Sequence, residues 1–241
     1  MQNIEGNVAL ITGGSKGIGY GIAQSLLAEG VNVAVTSRSQ TNADDAAKEL
    51  SKHSPTSAIA IGIKADVRYL LDQEEAVKKC VTDFGKLDYM IANAGLGHYE
   101  NIIDLTDTQW KEVIDTNLTG VFYSIKASVE ALKKSKGYFL SISSLAGTNF
   151  FANGSAYNAS KFGVTGFTQA VMLDLREYDI KVSTIMPGSV ASHFNGNTPD
   201  EKDAWKIQPE DIGELVVDVF KINPRTLPSK IEVRPTRPDL K

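Results

Sequence analysis

The stretch Asn7–Gly21, NVALITGGSKGIGYG, runs from an unbroken apolar segment into a glycine-rich loop and on into helical sequence. A strand with one wet face alternates apolar and polar residues, so an unbroken run of this length ending in glycine reads as a strand covered on both faces. Gly13, Gly17 and Gly19 follow in the spacing G-x-x-x-G-x-G, with Ser15, Lys16 and Ile18 between them. Glycines at a strand-to-helix junction let backbone amides approach a pyrophosphate resting on the positive end of the helix. The position three beyond Gly19 is Ile22, which departs from the G-x-G-x-x-G fingerprint, and the loop taken alone is equally a tight turn.

Six further strand-length runs follow: VNVAVTS, AIAIGIKAD, LDYMIANAG, GYFLSISS, KVSTIMPG and KIEVRPT, with helical sequence between them. Parallel neighbours cannot be joined by a tight turn and need a crossover, so strands alternating with helices predict a parallel sheet with helices on both faces. The expected fold is a doubly wound α/β domain of seven strands spanning residues 1–241 as one unit. Residues 189–208, SVASHFNGNTPDEKDAWKIQ, lack a clear period and lie after the sixth strand, where an irregular segment predicts a lid.

Composition narrows the function classes. A net charge of -4 and a pI near 5.5 give no electrostatic footprint for nucleic acid or an anionic membrane, which favours small-molecule chemistry. Cys80 is the only cysteine, and His53, His98 and His193 lie far apart without ligand spacing, so neither a disulfide nor a metal site is expected. The N-terminal MQNIEGNVALITGG has no basic leader and too short an apolar run for a signal or span, which predicts a cytoplasmic protein.

Two places sharpen the chemistry. NAD-binding enzymes usually carry an acid about 20 residues past the glycines, to hold the ribose hydroxyls; here the second strand ends in Ser37 and Arg38. A guanidinium there, with Lys16 in the glycine loop, suits a 2′-phosphate that a carboxylate would repel, so the expected cofactor is NADPH or NADP+. In GSAYNASKFG, residues 154–163, Tyr157 precedes Lys161 by four. On a helix these side chains are neighbours, which sets a phenol beside an ammonium.

TGGSKGIG, NAG at Asn93–Gly95, ISS ending at Ser144, YNASK, and the Pro187–Gly188 pair occur in this order over essentially the whole chain, which resembles the short-chain dehydrogenase/reductase family. The resemblance implies a Rossmann fold and an oxidoreductase acting on carbonyl or alcohol groups. It implies Tyr157 as the acid that protonates the carbonyl oxygen, Lys161 as its activator, Ser144 as the hydroxyl holding the substrate oxygen, and Asn117 as the anchor of a water relay. A free tyrosine titrates near 10, so acid/base work near neutrality calls for positive charge that favours its anion. The resemblance gives Asp66, followed by Val67, as the acceptor for the adenine amino group, and Asn93, Ala94 and Gly95 as the bend beside the adenosine ribose. It extends the cofactor site along Pro187, Gly188 and Val190 to Ser192, where the family usually has threonine.

The substrate is expected to be a small apolar or ring-bearing carbonyl compound, from Tyr99, Phe150, Phe151, Phe194 and Trp205 near the mouth. The runner-up is a 3-oxoacyl-carrier-protein reductase, although the arginines by which such reductases dock the carrier fall here at Ser135 and Tyr178. The ending KIEVRPTRPDLK resembles sepiapterin-reductase-like and carbonyl-reductase branches more closely. A non-catalytic NADP(H) redox sensor and a methyltransferase stand as readings of other classes. The sensor does not need the four catalytic groups, and the methyltransferase would carry an acid where Arg38 stands. Pairing through the helices bearing Asn117 and Tyr157, with small residues at Ala159, Gly163 and Gly166, would make a homodimer or homotetramer.

Overall fold

The computed structural model describes residues 2–237, so the last four residues of the KIEVRPTRPDLK ending lie outside the described residues. Seven strands form one parallel sheet: β1 (Val8–Ile11), β2 (Asn32–Ser37), β3 (Ala60–Lys64), β4 (Tyr89–Ala92), β5 (Tyr138–Ile142), β6 (Lys181–Pro187) and β7 (Lys230–Val233). Their order across the sheet is β3-β2-β1-β4-β5-β6-β7. The direction of winding reverses between β1 and β4, which opens a crevice at the carboxyl ends of those two strands.

The helices are α1 (Gly17–Ala28), α2 (Gln40–Lys52), α3 (Leu70–Phe84), α4 (Asp107–Ile114), α5 (Gly120–Ser135), α6 (Ser155–Asp174) and α7 (Pro209–Lys221). They divide between the two faces, and the strand side chains divide with them. Ala9 and Ile11 of β1 belong to the core under α1 and α7, with Ile22, Leu26, Val216 and Phe220. Val8 and Leu10 belong to the opposite core, with Val77 of α3, Ile125 of α5 and Val164 of α6. Successive strand residues point to opposite faces, so two buried faces require the unbroken apolar runs seen in the sequence.

Two local features position the site. A five-residue π-helical turn, Asp115–Thr119, joins α4 to α5, and Asn117 inside it is buried. Such a turn holds one more residue than an α turn and shifts which side chains face inward. The predicted lid is largely irregular. A parallel bridge between Val190 and Ile207 closes its base, and short 3₁₀ turns at Phe194–Gly196 and Glu201–Asp203 lie within it.

Candidate active site

The loops leaving the carboxyl ends of the strands enclose a cleft of about 1950 Å³. Every residue expected at the site lines it except Gly19 and Asn117, which lie behind its wall. Gly13 and Gly17 have φ of +64° and +59°, a conformation that residues with a Cβ adopt with strain. At Gly19 the requirement is space, since a Cβ there would lie 2.5 Å from Asn93 Nδ2 and 2.7 Å from the Gly13 carbonyl. That closeness lets the loop after β4 lock onto the loop after β1. Asn93 Nδ2 donates to the carbonyls of Thr12 (2.9 Å) and Gly13 (3.2 Å), while Thr12 Oγ1 accepts from the amides of Asn93 (3.0 Å) and Ala94 (3.1 Å). Sequence reading missed Thr12, since a threonine ending a strand carries no signal of a distant partner.

The first turn of α1 has no side-chain cap and no acidic residue, so its amides remain free to meet an anion. Lys16 and Arg38 are exposed at the same end, and neither has an ion-pair partner among the described residues. The cradle of amides and the two unpaired cations fit a phosphorylated dinucleotide. Asp66 differs from expectation. Its carboxylate is clasped by Arg68, with Nε 3.0 Å from Oδ1, Nη2 2.6 Å from Oδ2 and the Arg68 amide also donating to Oδ1 at 3.0 Å. Burial raises the Asp66 pKa, but the Arg68 contacts and the Arg38 charge outweigh it, and the carboxyl sits below its usual range. Much of its accepting capacity therefore goes to a neighbour two residues away, and Arg68 lines the cleft beside it.

At the other end, α6 carries Tyr157 and Lys161 side by side, with Lys161 Nζ 5.6 Å from the Tyr157 ring centroid. Lys161 is only 4% exposed, and its ammonium donates to the Ile142 carbonyl at 3.1 Å. Ser144, just beyond β5, accepts from the Ala146 amide at 3.1 Å. Asn117 is spoken for at every polar atom: Oδ1 accepts from the Leu96 amide (2.9 Å), and Nδ2 donates to the Leu96 carbonyl (2.8 Å) and to Ser160 Oγ (3.0 Å). Asn117 thus ties the π turn to the loop after β4 and to α6.

Burial shifts both titrating groups of this pair. Burial, reinforced by Tyr99, pushes the Tyr157 phenol well above its usual range, and hydrogen bonding to Ser144 offsets only part of this. Burial pushes the Lys161 ammonium down to about 8. The site therefore favours a protonated phenol and does not by itself stabilise the anion, because both groups are denied water.

Aromatic rings enclose the phenol. Tyr99 and Phe194 meet the Tyr157 ring edge-on at 5.6 and 5.7 Å, and Phe151 meets Tyr99 edge-on at 5.6 Å. Trp205 also lines the cleft. Phe150 is 82% exposed and lies 6.1 Å from Phe162 on the outer side of α6, so it contributes less to this wall. Among the described residues no cluster of His, Cys, Asp or Glu is arranged to hold a metal, and no helix is long and apolar enough to cross a membrane.

The short chain dehydrogenase family model matches residues 7–203, which hold the glycine loop, Asn117, Ser144, Tyr157 and Lys161. The chain belongs to this family. This short-chain dehydrogenase is an oxidoreductase of hydroxyl and carbonyl groups. It is 30% identical to sepiapterin reductase of Chlorobaculum tepidum, covering 97% of this chain and 98% of that one. To a 3-oxoacyl-[acyl-carrier-protein] reductase of Vibrio cholerae it is 31% identical, over 83% of this chain and 80% of that one. Its fold matches the solved structure of an alcohol dehydrogenase from the archaeon Thermococcus sibiricus complexed with 5-hydroxy-NADP. The TM-score is 0.88 at 28% identity, covering 97% of this chain and 99% of that one.

Proposed function

We propose that this dehydrogenase reduces a ketone or aldehyde on a small, apolar or ring-bearing substrate, using NADPH. The observation that carries this reading is the buried Tyr157 phenol, beside Ser144 and Lys161 and walled by the rings of Tyr99 and Phe194. The adenosine half of the cofactor would be held by the α1 amides, with Lys16, Ser37 and Arg38 at its 2′-phosphate and Asp66 and Val67 beside the adenine. The adenosine ribose would lie beside Asn93–Gly95, and the nicotinamide half along Pro187, Gly188, Val190 and Ser192. NADPH supplies the hydride that reduces the carbonyl carbon. The chain's part is to handle charge on the oxygen. Ser144 Oγ donates to it, Tyr157 Oη delivers the proton that completes the alcohol, and Lys161 orients the cofactor ribose and the phenol. The aromatic wall excludes water and seats an apolar ring.

The alcohol dehydrogenase solved with an NADP derivative supports the choice of cofactor, as do the two unpaired cations. A charge-assisted contact to phosphate contributes roughly 1.5–3 kcal/mol, which is about one to two orders of magnitude in affinity. Following NADPH and NADH absorbance with a panel of aromatic ketones, aldehydes and diketones tests the reading. NADPH is expected to be consumed much faster than NADH. Tyr157→Phe should lower turnover by about 10²–10⁴ while leaving the NADPH dissociation constant near that of the unchanged protein. Unchanged turnover in that variant would refute the role of Tyr157, and NADPH binding without turnover of any carbonyl would favour a redox sensor.

The likeness to the Vibrio cholerae enzyme favours a second reading, reduction of acyl thioesters on a carrier protein. Two of the lysines near Ser135 are neutralised within the chain, Lys133 by Glu130 and Lys136 by Asp179. That leaves Lys134, exposed and without an ion-pair partner among the described residues, as the cation beside Ser135 that an acidic carrier would meet. Faster turnover of acetoacetyl-carrier protein than of ring-bearing ketones would reverse the ranking.

A further inference from the structure

The lid is fastened at its base and at one point near its tip. The base is the Val190–Ile207 bridge, where the Ala191 amide donates to the Ile207 carbonyl at 2.9 Å and the Ile207 amide to the Ser189 carbonyl at 3.1 Å. Among the described residues, segment 192–206 makes one hydrogen bond to any part of the chain before Ser189: the buried Gly97 amide donates to Asn195 Oδ1 at 3.0 Å. Asn195 has φ 55° and ψ 35°, inside a turn otherwise 3₁₀ in form. Asparagine tolerates this left-handed conformation better than most residues, and here it turns the amide back across the cleft. The neighbouring Phe194 meets the Tyr157 ring, and Tyr99, two residues beyond Gly97, meets it from the other strand's loop.

We infer that Asn195 is a positioning residue: its bond to Gly97 latches the lid across the cleft and fixes the Phe194–Tyr99 gap in which the substrate ring sits. This rests on the reading of that gap as the substrate pocket. Breaking the latch leaves the proton donor and the cofactor's cations untouched and loosens the wall that grips the ring. A hydrogen bond of ordinary strength shifts such an equilibrium about two- to tenfold.

Asn195→Gly removes the acceptor while keeping the left-handed backbone free of strain, and Asn195→Asp restores an acceptor. Gly97→Ala attacks the latch from the other side, since a Cβ there would stand 3.2 Å from Asn195 Nδ2 and 3.2 Å from the Tyr99 ring. Two readouts separate the latch from the activity. Cleavage by trypsin at the exposed Lys202 reports on the lid whatever the enzyme reduces. The split between KM and kcat for a ring-bearing ketone reports on the grip. Asn195→Gly and Gly97→Ala are expected to speed cleavage and raise KM by about two- to tenfold, with kcat changed less and the NADPH dissociation constant within about twofold. Asn195→Asp should return both toward the starting values. Cleavage and KM both unchanged in Asn195→Gly would overturn the latch. Faster cleavage with no ketone turned over by any of the proteins would leave the latch standing and defeat the substrate reading.

Discussion

Tyr157 and Lys161 act on one another through what surrounds them more than through their own charges. Each is buried, and each is pushed toward its neutral form, the phenol upward and the ammonium down to about 8. For the lysine this has a cost in stability. An unfolded lysine titrates near 10.4, so between about pH 8 and 10.4 the unfolded chain holds a proton that the folded chain has released. The contribution of Lys161 to stability therefore rises with pH across that window, and below it the full penalty of a buried ammonium applies. Lys161→Met is accordingly expected to raise the melting temperature near pH 7 by a few degrees, even though it orphans the Ile142 carbonyl, and to lose the gain by about pH 10. Melting curves at pH 7 and 10 check this, and a lower melting temperature at pH 7 would count against it. Tyr157 and Lys161 stood out in the sequence by type and spacing, while Ser144 and Asn117 were named through the family resemblance. Asn195 was not legible, because its role depends on a partner supplied by folding, an amide 98 positions away in sequence.

Element packing tells the same story at the α1–α7 contact. A Cβ on Gly213 would lie 2.6 Å from the Gly21 carbonyl, and one on Gly21 would lie 2.5 Å from the Pro209 carbonyl. The two helices meet backbone to backbone. In an isolated helix, glycine to alanine gains about 1 kcal/mol; against a neighbouring backbone the added methyl costs about 1–3 kcal/mol. Gly213→Ala is expected to destabilise by up to about 2 kcal/mol, read from denaturant unfolding, with NADPH binding retained in the folded protein. A stabilised variant would show that propensity governs the position. The π turn is the other element that sequence could not give. Its apolar spacing matches an ordinary helix, and only the packing of Asn117 against Leu96 and Ser160 explains the extra residue.

At the scale of the whole molecule, α5 and α6 leave apolar groups uncovered. Phe122, Phe162 and Leu173 are between 41% and 58% exposed, and Ala159 and Gly166 are exposed beside them. Gly163, expected to serve the same face, instead packs on Leu118 of its own chain, where a Cβ would stand 2.8 Å from the leucine. A Cβ at Gly166 would meet nothing within 4 Å, so a side chain there is tolerated by the fold. We expect a dimer through this face, converted by Gly166→Glu to a monomer that still folds. Sedimentation of the two proteins decides it, and a monomeric unchanged protein would refute the interface.

The sequence alone determined the sheet and the motif-bearing loops. An apolar run without alternation leaves a strand no wet face, and crossovers of helix length force parallel neighbours, so seven such runs already specify two covered faces. The glycine loop, Arg38 and the Tyr157–Lys161 pair are local signals, and the order of the motifs along the chain joins Ser144 to them. Only the tertiary structure decided what joins residues distant in the chain. The contact of Gly21 with α7, the loss of water around Tyr157 and Lys161 and the reach of Asn195 to Gly97 all depend on distances that exist once the sheet has formed. A hydrogen bond or a close approach is set by ångströms in space, and the sequence encodes those only through the packing of the whole.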